Sequence, residues 1–192
     1  MSSEHWDKNV ERIENHTLKG WLDWEFIEQN YIRPQVSGDP NVYYIQHFLA
    51  RHIQVKPVAR ALSLGCGGGN LERALISLDA AREIDANDLS PESIRLAKDL
   101  AKAEGLQDRI HYQILDVNKA EFPAKTYDFV IAKMSLHHIE QLEHVYAQVK
   151  RTLKDGGVFV FNEFIGPSRF QWTDLQQELI AQLLSVIPKK NT

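Results

Sequence analysis

The chain has 192 residues, 43% of them hydrophobic, and a formal net charge of −4. That suffices for one domain with a sizeable core, or a domain plus a cap, and the charge gives no general affinity for nucleic acid. The single cysteine, Cys66, excludes an internal disulfide and a cysteine-based zinc site, and it fits a reducing cytoplasm. The first residues, Met-Ser-Ser-Glu-His-Trp-Asp-Lys, are polar and lack the apolar run of a signal peptide. No stretch is long enough to span a bilayer, so a cytoplasmic protein with no membrane partner is expected.

Residues 1–57 predict an N-terminal helical cap. Trp21, Trp24, Ile27 and Tyr31 recur at helical spacing and share one face. Arg33-Pro34 is expected to end that helix, because the residue before proline avoids the α region. Ser37-Gly38-Asp39-Pro40 reads as a turn, with Asp39 as N-cap and Pro40 at the first position of a second helix. Ile45, Phe48, Leu49 and Ile53 form the stripe of that helix. The cap either covers one edge of a sheet or acts as a lid over a ligand, lined by Trp21, Trp24 and Tyr31.

From residue 58 onward strands and helices alternate. The strands are expected at about 58–64, 83–88, 109–114, 127–132 and 157–163. The helices between them are expected at about 69–79, 91–104 and 140–153. Ser90-Pro91 caps one helix, and Gly156-Gly157 is expected to stop another. A last helix reads over Thr173–Ile187, with Leu175, Leu179, Leu183 and Val186 on one face. This alternation predicts an α/β fold with a parallel sheet and right-handed crossovers.

Open α/β sheets bind ligands beyond the carboxyl ends of their strands. The first strand ends in Gly65-Cys66-Gly67-Gly68-Gly69, a turn without side-chain bulk that lets backbone amides approach a nucleotide-like ligand. The second ends in Asp88, followed by Leu89; a carboxylate there can accept both ribose hydroxyls. The third is followed by Asp116-Val117, a carboxylate for an adenine amino group beside an apolar side chain. The fourth ends in Lys133, then Met134-Ser135-Leu136-His137-His138, and the fifth in Asn162-Glu163. Three polar strand ends in a row match an adenosine ligand. Asn70 stands where a nicotinamide dinucleotide fold wants its third glycine, which disfavours an oxidoreductase. No glycine loop ends in the Lys-Ser or Lys-Thr of a triphosphate site.

These segments resemble the motifs of class I S-adenosylmethionine-dependent methyltransferases. Leu62-Ser63-Leu64-Gly65-Cys66-Gly67-Gly68-Gly69 is similar to their first motif, and Asp88-Leu89-Ser90-Pro91-Glu92-Ser93 to their second. Asp116-Val117 is similar to the third. Tyr127–Ala132 with Leu136-His137-His138-Ile139 is similar to the fourth, and Leu153-Lys154-Asp155-Gly156-Gly157 to the turn before the fifth strand. The resemblance covers residues 58–163 and implies a Rossmann-like sheet of order 3-2-1-4-5 with S-adenosylmethionine as cofactor. It implies that Gly65, Cys66 and Gly67 approach the methionine part. Asp88 would hold the ribose, Leu89 would flank the adenine, Asp116 with Val117 would read it, and Lys133 would contact the cofactor through its backbone. Family members of this class usually add two further strands, one antiparallel. Only 29 residues follow Glu163, so the final hairpin is expected to be missing. Residues 58–192 would then be a core cut short at its C-terminal end, or one whose open edge a second copy covers. A homodimer through that edge is the expectation in the latter case.

The resemblance implies methyl transfer to a small-molecule acceptor, such as a sugar or another hydroxylated metabolite. An oxygen nucleophile gains from a general base near neutral pKa, so His137, His138 and Glu163 are the candidate catalytic residues. Gly166–Thr173 is either the approach to the last helix or an acceptor-binding loop, with Arg169 and Trp172 joining Tyr31 as acceptor contacts. That segment is also similar to one in uncharacterised bacterial methyltransferases. No metal site and no nucleic-acid partner are expected. A non-catalytic S-adenosylmethionine-binding module is the alternative function.

Overall fold

Pro34 does not stop the first helix. In the computed structural model, which describes residues 25–163 and 172–186, one helical stretch runs through α1 (Glu25–Ile27), a π turn (Glu28–Ile32) and α2 (Arg33–Ser37). Proline lacks an N–H and its ring collides with the carbonyl four residues back. The chain widens just before it, so that the Arg33 N–H donates to Glu28 O, five residues back. Pro34 then sits in the first turn of α2, where a missing donor costs little. Asp39-Pro40 does not start a helix either. The Asp39 carboxylate accepts from the Asn41 amide at 2.8 Å and closes a local turn. The second helix, α3 (Tyr44–His52), begins four residues later, and the Gln46 side chain accepts from the Tyr43 amide at 3.1 Å.

The alternation from residue 58 produces β1 (Val58–Leu64), α4 (Asn70–Ser77), β2 (Ala81–Asp88), α5 (Pro91–Ala103), β3 (Ile110–Ile114), β4 (Tyr127–Lys133), α6 (Leu142–Thr152) and β5 (Leu153–Asn162). The strands form one parallel sheet in the order β3-β2-β1-β4-β5. Both sheet faces are covered, as a parallel sheet requires. On one face Ala61, Ile84, Phe129 and Ile131 pack with Leu75, Ile94 and Ala97. Ile45, Phe48 and Leu49 of α3 join this cluster, and the Phe48 ring meets Phe129 edge-on at 6.0 Å. On the other face Leu62, Leu64 and Val130 pack with Val145 and Val149 of α6.

Gly156-Gly157 lies inside an irregularity of β5 and not at a helix stop. Helix α6 ends at Thr152 because Leu153 already pairs with Tyr127. The next paired residues are Phe129 and Val158, so residues 154–157 bulge opposite Asp128. Lys154 Nζ holds that bulge to both Asp128 oxygens at 2.9 and 3.0 Å. Strand β5 is an outer strand, with Phe161 exposed. The last helix, α7 (Asp174–Val186), starts on a capping box: Gln176 Oε1 accepts from the Thr173 amide at 2.9 Å, and Thr173 Oγ1 accepts from the Gln176 amide at 3.3 Å. Its residues Leu175, Leu179, Leu183 and Val186 are exposed. Ile187, expected at its end, lies outside the described residues.

Candidate active site

The glycine turn is clamped from two sides. Gly65 has φ +67°, and a Cβ built on it would fall 2.5 Å from Ser135 Cβ. Only glycine lets the end of β1 come this close to the turn after β4. Ser135 Oγ donates to Leu64 O at 2.8 Å across the same contact. On the other side the Cys66 amide donates to Asn87 O and the Gly67 amide to Asp88 Oδ2, both at 2.9 Å. Asp88 Oδ1 accepts from the Ser90 amide at 2.9 Å. Gly65, Cys66, Gly67 and Asp88 are therefore one connected unit, with Leu89 half-buried beside it. A Cβ on Gly67 would meet nothing within 4 Å, so the turn keeps open space on that side. This cradle, flanked by a carboxylate with spare acceptor capacity, fits an adenosine-bearing ligand.

Asp116 lies beyond β3 and organises its own loop. Its Oδ1 accepts from the Asn118 amide at 3.0 Å and from Asn118 Nδ2 at 2.9 Å. These bonds hold its carboxyl below the usual carboxylate range, so it stays an ionised acceptor. Asn118 Oδ1 in turn accepts the Glu140 and Gln141 amides at 3.0 and 2.9 Å, tying this loop to the start of α6. Val117 packs against the α6-side core. Lys133 ends β4 with an exposed side chain, and Met134 after it adopts φ +49°.

The three candidate bases are brought together, with His137 touching both of the others. His137 and His138 sit on the 3-10 turn Leu136–His138, with ring centroids 3.7 Å apart. Glu163 Oε2 lies 2.6 Å from His137 Nδ1, and Glu163 Oε1 accepts from the Leu136 amide at 2.7 Å. The Glu163 side chain is 7% exposed and that of His137 39%. The carboxylate thus fixes the turn while the imidazole remains accessible.

One buried pair escaped the sequence reading. Glu72 is 0% exposed, and its Oε1 accepts from Ser63 Oγ at 2.5 Å. Its signal was a charged residue on the apolar face of α4, three and four positions before the buried Leu75 and Ile76. Desolvation pushes its carboxyl up to about 7. Burial likewise raises the Cys66 thiol and the Tyr112 phenol; Tyr112 donates to Gly69 O at 3.2 Å.

The expected acceptor contacts differ in how far the structure describes them. Tyr31 is 62% exposed on the π turn, and Trp172 is 50% exposed before α7. Arg169, Trp21 and Trp24 lie outside the described residues. Among the described residues no cluster of three or more His, Cys, Asp or Glu could hold a metal ion, and no helix is long and apolar enough to cross a membrane.

Comparison with known proteins places the family and the fold. Residues 62–161 match the methyltransferase domain family. A sterol 24-C-methyltransferase of Gibberella zeae is 32% identical over 144 residues, which is 75% of this chain and 38% of that relative. The chain thus spans well under half of that relative's length. The solved S-adenosylmethionine-dependent methyltransferase of Mesorhizobium loti is 28% identical, with a TM-score of 0.50 over 58% of this chain and 50% of that one. Phosphoethanolamine N-methyltransferase 2 of Haemonchus contortus, solved with S-adenosyl-L-methionine, shares the fold at 20% identity and a TM-score of 0.60, over 82% of this chain and 39% of that one. With its 3-2-1-4-5 sheet and a glycine turn joined to Asp88, the chain belongs to the methyltransferase domain family, among the class I S-adenosylmethionine-dependent methyltransferases.

Proposed function

We propose that this chain carries a small-molecule methyltransferase activity in which His137 serves as general base toward an acceptor hydroxyl. The observation that carries this reading is the contact between His137 Nδ1 and Glu163 Oε2. S-adenosylmethionine, when bound, supplies a methyl group made electrophilic by its sulfonium. Asp88 would accept its ribose hydroxyls, Asp116 with Val117 and Leu89 would receive the adenine, and Gly65, Cys66, Gly67 and the Lys133 backbone would border the methionine end. A carboxylate can only accept, so the imidazole presents Nδ1–H to Glu163 and keeps Nε2 as the acceptor. Nε2 would take the hydroxyl proton as the acceptor oxygen bonds to the methyl carbon and the methyl–sulfur bond breaks, with S-adenosylhomocysteine as the leaving group. Glu163 positions the ring and stabilises the imidazolium that forms.

A second reading is an apolar acceptor of sterol type. The sterol 24-C-methyltransferase relative supports it, as do the exposed Phe26, Tyr31 and Trp172. Residues 1–57 as a lid, a homodimer through the β5 edge and a cytoplasmic location complete the proposal. The deciding experiment is calorimetric titration with S-adenosylhomocysteine, followed by a turnover screen with S-adenosylmethionine over hydroxylated metabolites and sterols. Binding with turnover on a hydroxylated acceptor supports the first reading, and turnover on sterols alone supports the second. Binding without turnover on any acceptor would leave a cofactor-binding module.

A further inference from the structure

Near the glycine turn lies a carboxylate with an unused oxygen. Glu72 is fully buried, Ser63 Oγ satisfies its Oε1, and its Oε2 has no hydrogen-bond partner. A buried carboxylate without a donor is costly unless it is neutral or faces a cation. Two cations, Arg73 and Lys133, act on it through space, but neither bonds to its Oε2. Arg73, next on α4, is committed to Glu104 at 2.8 Å, Gly68 O at 2.9 Å and Asn70 Oδ1 at 2.5 Å. Lys133 of β4 acts on Glu72 only through space, from an exposed position. The turn contributes the Cys66 thiol, which also feels Asp88. Strand β3 contributes Tyr112, and α3 contributes Tyr44, beside which lie Tyr43 and Glu28. Apart from Arg73 and Lys133, these groups are neutral or anionic.

Ser63 stands two residues before Gly65, and the carboxyl lies within electrostatic reach of Cys66 in the turn, whose open side is at Gly67. S-adenosylmethionine brings two cationic groups to such a site, its sulfonium and its α-ammonium. We propose that Glu72 is the buried counter-anion for one of these cations, and that cofactor binding drives a proton from the Glu72 carboxyl into solvent. In the empty site the carboxyl holds its proton at mildly acidic pH, which relieves the missing partner. When the cation arrives, the O–H bond breaks, the proton leaves to buffer, and carboxylate and cation pair. The proposal rests on the cofactor assignment above and adds to it a proton linkage at a named atom.

Isothermal titration of the full chain with S-adenosylmethionine and with S-adenosylhomocysteine, between pH 6 and pH 8 in two buffers of different ionisation enthalpy, tests this. With a free-state midpoint near 7, affinity should be about tenfold weaker at pH 6 than at pH 8, with about half a proton released at pH 7. Glu72→Gln should bind with no proton release and a flat profile. Ser63→Ala keeps the carboxyl but removes the bond that favours its charged form, so the profile should move to higher pH. Linkage with both ligands assigns the ammonium, which both carry; linkage with S-adenosylmethionine alone assigns the sulfonium. Binding without proton exchange in the unmodified chain, or an unchanged linkage in Glu72→Gln, overturns the proposal while the cofactor assignment stands. No binding of either ligand at any pH overturns both.

Discussion

Glu163 reaches back across 26 residues of chain to lie 2.6 Å from His137 Nδ1, and its second oxygen holds the Leu136 amide at 2.7 Å. One carboxylate at the end of β5 thereby sets both the backbone turn after β4 and the orientation of the imidazole on it. His137→Ala should lower kcat by about 10²–10⁴-fold while the S-adenosylhomocysteine Kd stays within about twofold. Glu163→Gln should cost a comparable factor, because an amide can donate to Nδ1 and so favour the wrong tautomer. His138→Ala should retain turnover. Steady-state kinetics beside calorimetry separates these effects, and full activity in His137→Ala would remove the base assignment.

Asp88 serves the turn before it serves any ligand, since it accepts the Gly67 and Ser90 amides. Asp88→Ala should therefore weaken S-adenosylhomocysteine binding by about 10–100-fold, the scale of one charge-assisted hydrogen bond. Titration calorimetry reads this directly. An unaltered Kd would take Asp88 out of the cofactor site.

Gly65 should tolerate no side chain. Gly65→Ala combines a left-handed backbone, costing about 1–2 kcal/mol for an L-residue, with a collision against Ser135 Cβ. Thermal unfolding should show a Tm lower by several degrees. Ser135→Gly added to it should relieve the collision, so the double variant should be more stable than the sum of the single effects implies. Strict additivity would mean that the two residues do not meet.

The buried Glu72 makes stability depend on pH in a defined direction. Its carboxyl is raised from an ordinary 4.5 to about 7 by desolvation, so the folded chain binds more protons than the unfolded chain between those values. Stability from this group is full below the unfolded value and is lost as pH rises through about 7, a swing of about 3 kcal/mol. Glu72→Gln removes the swing. The Tm of that variant minus that of the unmodified chain should increase from pH 5 to pH 8 and then level off. A difference independent of pH would show that Glu72 does not titrate in this range.

Much of the fold was legible from short-range chemistry. Strand β1 runs over Val58–Leu64 as expected, because Pro57 and Gly65 bound an apolar run at both ends. Helix α5 starts at Pro91 as expected, with Ser90 Oγ accepting the Ser93 amide at 3.0 Å. The strand order follows from the alternation and the family motifs, since parallel strands need crossovers of one hand. Local rules failed where a nearby alternative satisfied the same groups. At Pro34 a π turn absorbed the missing donor, and at Asp39 a turn bond displaced a helix cap.

The sequence by itself determined which residue types stand at the strand ends: glycines after β1, Asp88 as the last residue of β2, His137 and His138 after β4, and Glu163 after β5. Only the tertiary structure decided which of them meet. Glu163 pairs with His137 because β4 and β5 are neighbours in register, Lys133 opposite Asn162. Glu72 meets Ser63 because α4 folds back on the face of β1. Gly65 is pressed against Ser135 because β1 and β4 are adjacent although 62 residues separate them in the chain. Caps, turns and periodicity act within a few residues, so they can be read along the chain. A buried charge and its partner are set by desolvation and packing between distant segments, which one-dimensional spacing does not encode.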